Sequence, residues 1–427
     1  MELISSYNLI IEFSVIIILS FLFNGLSKKT NIPAVLMLIA LGLMLQYVLE
    51  YFTTDTIDFF PILEVLGIVG LIMIVLEAAL ELELKREKLL PILKSMGIAL
   101  IGLMASTWAA ASILYYYIPE MSMQSAWLYA TPLSILSSAI IIPSVSGLKS
   151  KKKEFHIYES TFSDILGIML FYFLTGKLNP AEDSGLVGFG GNFLLTIVIS
   201  LVASYAIILV FQKIKSNVKL FLLIAVLLLL YALGKKMHLS SLIIILIFGL
   251  VIANMKLFFK GKLSSLLDYA KAHQIYHELH TITAETAFVV RTLFFVIFGL
   301  TIAVTSLFDL QVALISCLLI GSIYGIRIIL LLIFEGKDII PQAFIAPRGL
   351  ITVLLFYAIP PEAQVKSFEP GILLFVIIGT SVIMTFAMIY EKRRSSKALQ
   401  IAESRTVGSI KWKVPSVLEN GVNDDKK

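Results

Sequence analysis

Two acidic residues, Glu159 and Asp164, lie in the first turns of a long apolar segment of this chain. The segment begins near Tyr158 and stays almost wholly apolar through Leu174. An ionisable side chain inside a membrane-spanning helix is costly, and by default it marks a pathway for ions or protons. On a helix, Ser160 lies one turn before Asp164 and shares its face. We therefore interpret Asp164 as the candidate carrier of a proton or cation, with Ser160 as a candidate second ligand.

Two arginines fall inside other apolar segments and need partners of opposite charge. Arg327 is flanked by apolar residues on both sides, and an unpaired charge in hydrocarbon is prohibitive. Glu159 and Asp164 are its candidate partners, although Glu159 has the alternative of snorkelling at the helix end. Arg291 lies nearer the end of its segment, where snorkelling or pairing with Glu285 would also satisfy it.

Two apolar segments carry helix-breaking residues near their centres. One contains Pro132 followed by Ser137 and Ser138, and the other contains Pro347-Arg348-Gly349. Broken helices at corresponding places in two halves indicate a transporter with inverted repeats, whose unwound carbonyls balance or coordinate charge. Back-bonding of the two serines to the preceding turn is the alternative at the first break.

Glu77 is a further acid within an apolar run, and two interpretations remain open for it. It is either a ligand of a transported cation or one half of an ion pair near the membrane surface, since its segment ends in basic residues about two turns later.

The chain offers no motif for metal or nucleophilic catalysis. Its five histidines fall at predicted loops or span ends, without an HExxH or Cys-His pattern. His273 and His277 are four residues apart, which a solvated helix face explains better than a zinc site. A phosphate-binding glycine loop and a nucleophile elbow are also missing. We therefore expect a protein that is not an enzyme and has no cofactor or resident metal.

Composition defines the elements that position these residues. The 427 residues are 58% hydrophobic and 15% charged, with a mean hydropathy of +0.94. Several apolar runs of about eighteen residues or more predict an all-α polytopic membrane protein. The first run lacks the features of a signal peptide, so we read it as a retained helix. A net charge of +5 fits loops that face anionic lipid and requires no nucleic acid partner.

We predict about thirteen membrane spans. They cover residues 8–26, 32–52, 61–83, 90–117, 125–147, 158–176, 191–212, 217–234, 240–255, 282–305, 310–334, 341–359 and 371–390. Basic loops follow the odd-numbered spans, and Lys235-Lys236 is the clear exception. The positive-inside rule then places the N-terminus outside and the C-terminus in the cytoplasm.

Three regions follow from this pattern. Residues 1–390 form the transmembrane domain. Within it, residues 256–280 are polar and mildly amphipathic, which predicts a cytoplasmic linker helix at the membrane surface. Residues 391–427 are polar and predict a short disordered cytoplasmic tail.

The motif Glu159-Ser160-Thr161-Phe162-Ser163-Asp164 resembles the E-S-x-x-N-D motif of the monovalent cation/proton antiporters of the electroneutral sodium/proton exchanger type. Arg327 resembles the buried arginine of their helix 11, and Pro347-Arg348-Gly349 resembles their G-x-R-G helix break. Weaker matches around Glu77 and in the run Phe294-Phe295-Val296-Ile297-Phe298-Gly299-Leu300 extend the resemblance over about residues 8–390.

Two departures from the family pattern bear on ion selectivity and subgroup. Ser163 stands where the family has asparagine, and Ser137-Ser138-Ala139 replaces the T-D-P of helix 5. The second departure is closer to the potassium-efflux and electrogenic branch, but relatives there use two adjacent aspartates, which this chain lacks.

The resemblance implies a homodimeric antiporter of the plasma membrane that exchanges Na⁺, or K⁺ or Li⁺, for H⁺ by alternating access without net charge transfer. Two broken crossing helices would lie in a mobile core made of spans 3–6 and 10–13. Asp164 would bind a proton or a cation, and Arg327 would pair with Glu159. Ser160, Glu77 and carbonyls near Ser137 and Ser138 would complete an oxygen-rich shell suited to a hard cation.

Other classes of function remain open on the sequence alone. One is a potassium-efflux-type channel or antiporter module that needs a separate regulatory partner. The others are a non-transporting membrane sensor and a membrane-embedded enzyme of unfamiliar type.

Overall fold

The computed structural model describes residues 6–30, 32–52, 60–82, 84, 86–176, 185–215, 219–236, 241–301 and 309–409. Within these ranges the protein is helical and contains no strand. The α-helices are α1 (Ser6–Thr30), α2 (Ala34–Phe52), α3 (Phe60–Glu81), α4 (Leu89–Tyr117), α5 (Met123–Ser134), α6 (Ser138–Ser144), α7 (Ser150–Gly176), α8 (Gly185–Phe211), α9 (Lys219–Lys236), α10 (Ser241–Ala253), α11 (Met255–Phe258), α12 (Tyr269–Thr301), α13 (Leu310–Phe334), α14 (Leu350–Tyr357) and α15 (Gly371–Ser409).

Apolar sequence and helix length together make this a multi-pass membrane protein. In the part of the chain that the structure describes, seven helical segments are long and apolar enough to cross a bilayer. They are α4, the α5–α6 pair, α7, α12, α13, Leu194–Phe211 of α8 and Gly371–Arg394 of α15. Large apolar side chains such as Phe21, Leu90 and Leu310 are exposed on the outer surface, as a lipid-facing surface requires. The predicted count of thirteen spans and the inverted repeats stay predictions.

The core is formed where small residues let helices approach closely. Helix α12 packs along α2 and α3, and α4 packs against α5, α7 and α13. At the α2–α12 contact, a Cβ on Gly42 would lie 2.2 Å from the carbonyl oxygen of Val296, and a Cβ on Gly299 would lie 2.5 Å from that of Ile39. Only glycine permits this backbone approach.

The separate linker helix predicted for residues 256–280 is not observed as such. Its C-terminal half forms the first turns of α12, which runs without interruption from Tyr269 to Thr301. A short helix, α11, and a 3₁₀ segment, Gly261–Leu266, precede it. The reason is local, because between Tyr269 and Gly299 the sequence has neither proline nor glycine to end the helix.

Helical structure also extends past residue 391, the predicted start of the tail, for the same local reason. Helix α15 continues from the apolar span through Ser409. The residues after Tyr390 are rich in Lys, Arg, Glu, Ala and Leu, which favour helix, and the first glycine is Gly408. The remainder of the predicted tail, 410–427, lies outside the described residues.

Both predicted helix breaks are present. Helix α5 ends at Ser134 and α6 begins at Ser138, with extended backbone between them. In the second break, a 3₁₀ turn over Gln342–Phe344 is followed by non-helical residues 345–349 and then by α14. This second span is thus α-helical only in its C-terminal half.

Candidate functional site

The two helix breaks meet at the centre of the molecule. The backbone N–H of Ser137 donates a hydrogen bond to the carbonyl oxygen of Pro347 at 2.9 Å. The contact is tight, since a Cβ on Gly349 would lie 2.4 Å from the hydroxyl oxygen of Ser137. The two unwound segments are therefore joined by their backbones and leave no space for a larger side chain at Gly349.

Arg348 closes the C-terminal end of α5. Its side chain is buried, with 1% exposed. Nε donates to the carbonyl oxygen of Leu133 at 2.8 Å, and Nη2 donates to that of Ser134 at 3.1 Å. Nη1 donates to the carbonyl oxygen of Ala346 at 2.7 Å. Carbonyls at a helix C-terminus have no intrahelical partner, and a cation there also stabilises the helix dipole.

Glu159 and Arg327 form a buried, bidentate ion pair. Nη1 and Nη2 of Arg327 donate to Oε1 and Oε2 of Glu159, each at 2.8 Å. The third donor of the guanidinium, Nε, binds the carbonyl oxygen of Gln342 at 3.1 Å. Each Glu159 oxygen and all three nitrogens of the guanidinium are therefore engaged, and the pair connects α7 with α13 and with the turn before the second break.

His156 lies one turn before Glu159 and is fully buried, not at a span end as the sequence suggested. Its Nδ1 is 3.5 Å from Oε2 of Glu159, too far for a well-formed hydrogen bond. Neither ring nitrogen has a hydrogen-bond partner among the described residues. The spacing of three residues on one helix was the available signal, but predicting α7 to start at residue 158 left His156 outside the span.

The beginning of α7 is fixed to the loop that leads to Gln342. Nζ of Lys152 donates to the carbonyl oxygen of Ile340 at 2.7 Å and lies 3.1 Å from a carboxylate oxygen of Asp338. The hydrogen bond from this ammonium group holds the pKa of Asp338 below its usual range. These contacts position the loop, and with it the carbonyl that Arg327 binds.

Asp164 differs from Glu159 in having no cationic partner among the described residues. Its side chain is 3% exposed. Oδ2 accepts a hydrogen bond from the backbone N–H of Ser138 at 3.3 Å, the Ser138 hydroxyl also interacts with the carboxyl group, and Oδ1 accepts no hydrogen bond from the described chain. A buried acceptor without a partner is costly unless another group binds it. Asp164 is therefore poised to take up a proton or a cation.

A small cavity adjoins this carboxyl group. It has a volume of about 20 Å³, and its lining includes Ala78 of α3, Ile168 of α7, Leu242 of α10 and Ile351 of α14. That volume is enough for about one water-sized particle. Apart from Asp164, its lining side chains are apolar, so an ion there has the carboxylate as its main charged ligand.

A second cavity, of about 30 Å³, lies beside the ion pair. Its lining includes the polar residues Ser106, Ser134, Ser163, Glu159, Arg327 and Arg348. Ser163 uses its hydroxyl oxygen to accept the backbone N–H of Leu136 at 3.0 Å. The side chain that replaces the family's asparagine thus binds the unwound segment directly.

Two residues of the expected cation shell have other partners here. The Ser160 hydroxyl donates to the carbonyl oxygen of His156 at 2.7 Å, within its own helix. Glu77 pairs with Arg291 at 3.0 Å, and Arg291 also donates to the carbonyl oxygen of Ala139 at 3.1 Å. The structure therefore brings Asp164 together with Ser138, but it shows no hydrogen bond or ion pair between the Asp164 carboxyl group and the side chains of Ser160 or Glu77.

Arg291 has a partner that the sequence did not suggest. Its guanidinium binds Glu77 of α3 rather than Glu285, one of the two choices weighed from the sequence. Glu77 and Arg291 are 214 residues apart, so the only sequence signal was that each is a charge within an apolar run.

Comparisons with known proteins agree with this arrangement. The sequence model of the transmembrane domain described as "Sodium/hydrogen exchanger" matches residues 15–391. A solved structure of the sodium proton antiporter MjNhaP1 from Methanocaldococcus jannaschii at pH 8 matches with a TM-score of 0.66 and 20% identity, over 92% of this chain and 99% of that one. An electron-microscopy map of MjNhaP1 matches with a TM-score of 0.64 and 18% identity, over 92% and 97% of the two chains. At such identities the likeness establishes the fold. None of the curated proteins compared matches the chain.

Proposed function

The chain belongs to the sodium/hydrogen exchanger family, and on that premise we propose that it exchanges a monovalent cation for protons across a membrane. Na⁺ is the first candidate, with K⁺ and Li⁺ as the others. MjNhaP1, which has a similar fold, is a sodium proton antiporter, and this supports the same class of substrate here.

The observation that carries the proposal is the state of the Asp164 carboxyl group. It is buried, its hydrogen-bond donors are the backbone N–H and hydroxyl of Ser138, and Oδ1 is without a partner among the described residues. A proton or a small cation satisfies that oxygen, and the two compete because both need the same carboxylate. Competition for one site is what couples the two fluxes.

The other buried charges act as fixed supports. Glu159 is neutralised by Arg327, and Arg348 is held by three carbonyl oxygens. In our proposal, Asp164 is the one buried charged residue that binds and releases a proton or a cation during the cycle. Alternating access then exposes it to one side of the membrane at a time, with the crossing of the two unwound segments as the hinge.

We further propose that the protein works as a homodimer in the plasma membrane, with the N-terminus outside and the C-terminus in the cytoplasm. The basic residues on alternate loops support this orientation. Ser137, Ser138, Ser160 and Glu77 remain proposed participants in cation binding, in conformations of the cycle other than the one described.

The test is exchange by the purified full chain in proteoliposomes. An inward Na⁺ gradient is imposed and internal pH is followed with a fluorescent dye. We expect wild-type protein to expel protons and Asp164→Asn to reduce the rate to that of empty liposomes, because an amide cannot bind a proton or balance a cation. Cation uptake without proton movement would instead indicate a channel.

Asp268→Asn is the matched control, because it makes the same chemical change at an exposed acid outside the site. It should exchange at a rate close to wild type. The thermal unfolding temperature of Asp164→Asn should be no lower than that of wild type, since the amide removes a buried group that lacks a charge partner. Exchange by well-folded Asp164→Asn at the wild-type rate would overturn the proposal.

A further inference from the structure

The first turns of α12 carry a pair of histidines whose rings converge. His273 and His277 are one helical turn apart, and both are exposed. Their Nε2 atoms are 3.0 Å apart, and the ring planes meet at 77° with centroids separated by 4.4 Å. Two imidazole nitrogens therefore face each other at the surface of the helix, 3.0 Å apart.

That separation suits two ligands of one metal ion. With metal–nitrogen bonds of about 2.0–2.1 Å, nitrogens 3.0 Å apart subtend an angle of about 91–97° at the metal. This is close to the right angle between neighbouring positions in square-planar or octahedral coordination. A tetrahedral ion would need the nitrogens about 3.3 Å apart. Square-planar nitrogen ligation is typical of Cu²⁺ and Ni²⁺.

Neighbouring aromatic rings hold the pair in place. The ring of Tyr269 stacks on His273 with centroids 5.6 Å apart and an interplanar angle of 13°. Tyr276 lies on the other side of His273 at 6.0 Å and 17°, and its hydroxyl donates to the carbonyl oxygen of Leu80 at 3.1 Å. An imidazole already restrained in this way loses less conformational freedom when it binds an ion.

Among the described residues, no third histidine, cysteine or acid joins the two histidines as a candidate ligand. No group of three or more His, Cys, Asp or Glu side chains that could hold a metal occurs among the described residues. The nearby acids have partners: Asp268 pairs with Lys271 at 2.7 Å, and Glu278 accepts from Gln274 at 2.6 Å. Water molecules would fill the remaining positions around the ion, which the exposure of the site allows.

We propose that His273 and His277 form a binding site for a divalent transition-metal ion, with Cu²⁺ bound more tightly than Ni²⁺ or Zn²⁺. Imidazole is a good ligand for these ions and a poor one for Na⁺, Mg²⁺ or Ca²⁺. The site is separate from the carboxyl group of Asp164, and its ion is not the transported one. Bound metal links residues one turn apart and stabilises the first turns of α12.

Titration of the tag-free full chain in detergent with CuCl₂ tests the proposal. We expect one Cu²⁺ per chain at this site, with an electron paramagnetic resonance spectrum of tetragonal Cu²⁺ that shows nitrogen ligation, and a higher unfolding temperature. His273→Gln and His277→Gln should each weaken binding by more than about tenfold, because loss of an outer-shell contact alone costs about that much. MgCl₂ should produce no change.

His280→Gln is the control, because it removes a histidine one turn further along the same helix and leaves the pair intact. It should bind Cu²⁺ as wild type does. Without metal, the His273 and His277 variants should unfold at the wild-type temperature, since both side chains are exposed. Absence of binding by wild type, or equal binding by the His273 and His277 variants, would show that the 3.0 Å contact is only a hydrogen bond between two imidazole rings.

Discussion

Glu159 and Asp164 lie on the same helix, yet their carboxyl groups have opposite surroundings. Both oxygens of Glu159 accept charge-assisted hydrogen bonds from Arg327. Asp164 is contacted only by the backbone N–H and the hydroxyl of Ser138 among the described residues, and its Oδ1 has no hydrogen-bond partner there. Five residues of separation place the two carboxylates on different faces of α7. Glu159 is therefore engaged within the fold, and Asp164 is the carboxyl group that we propose binds the substrate.

The paired carboxylate gives a test of stability. Removing one charge of a buried pair leaves the other unpaired, which costs about 3–5 kcal/mol. Glu159→Gln and Arg327→Gln should each lower the unfolding temperature in detergent. The double variant should recover part of the loss, so that a double-mutant cycle gives a clear coupling energy.

The exposed pair Asp268–Lys271 provides the comparison for this cycle. Its side chains are 42% and 60% exposed, and exposed pairs contribute about 0–1 kcal/mol. Its coupling should be close to zero. Additive losses in the Glu159–Arg327 cycle would mean that the 2.8 Å contacts contribute no net coupling.

For individual residues, the sequence predicted which side chains are important better than it predicted which partners they contact. The depth of Asp164 and the pairing candidates for Arg327 could be read from apolar flanks. The direction of the Ser160 hydroxyl could not be predicted from the sequence. This hydroxyl can bind either a cation near Asp164 or the carbonyl oxygen of His156 on its own helix, and in the structure it binds the carbonyl. Nor could the partner of Arg291 be predicted, since Glu77 joins it only through the packing of α12 on α3.

Among the elements, the two helix breaks form one structural unit. The backbone bond from Ser137 to Pro347 joins them directly. Arg348, on the second break, provides the charge that caps the helix ending at the first. Each break thus satisfies groups that the other leaves open, which explains how irregular backbone persists inside a membrane protein.

This unit predicts a strong effect from one added methyl group. Gly349→Ala would place a Cβ 2.4 Å from the Ser137 hydroxyl oxygen and 3.0 Å from Ile140. Overpacking of this kind costs about 1–3 kcal/mol. We expect a lower unfolding temperature and a large loss of exchange rate in proteoliposomes, because the crossing lies next to the backbone N–H of Ser138 that binds Asp164.

Gly325→Ala makes the same change in the middle of α13, where an added Cβ meets nothing within 4 Å. Alanine favours helix over glycine by about 1 kcal/mol, so this variant should be neutral or stabilising and should exchange normally. If Gly349→Ala behaved in the same way, the crossing would be looser than the structure indicates.

The sequence predicted the helices correctly where they are strongly apolar. Apolar runs predicted the helices, and proline with serine predicted the breaks. At the start of α12 and after Tyr390, the helix continues through polar sequence that hydropathy alone reads as the end of a span. A helix needs hydrophobic residues to enter the bilayer, but it needs only good helix formers to continue beyond it.

For the molecule as a whole, the proposed exchange at Asp164 determines how much net charge would cross the membrane in each cycle. With a proton on Asp164, the carboxyl group is neutral. With one monovalent cation bound to the carboxylate, the site has the same net charge. Ser163, which adjoins the site and binds Leu136, has no ionisable proton at accessible pH. The two loaded forms are therefore electrically equivalent.

This equivalence predicts exchange that is indifferent to membrane potential. Proteoliposomes are clamped with K⁺ and valinomycin at several potentials, and Na⁺-driven proton movement is measured at each. Initial rate and end point should be the same at every potential. A reversal condition that moves with voltage would mean that a second group titrates, and the ion pair of Glu159 would then need to open during the cycle.

Helix α12 is longer than the hydrocarbon layer is thick, so a change in its tilt is largest at the end that extends beyond the layer. Its 33 residues span about 50 Å, whereas the hydrocarbon layer is about 30 Å thick. About 20 Å of rigid helix must therefore stand clear of the hydrocarbon. If the helix pivots near the bilayer midplane, a tilt of about 10° moves its far end by about 6 Å. A small change of helix tilt near Arg291 would therefore produce a larger displacement at Tyr269. A spectroscopic probe attached near Tyr269 would report movements of α12 that are too small to measure at Arg291 itself.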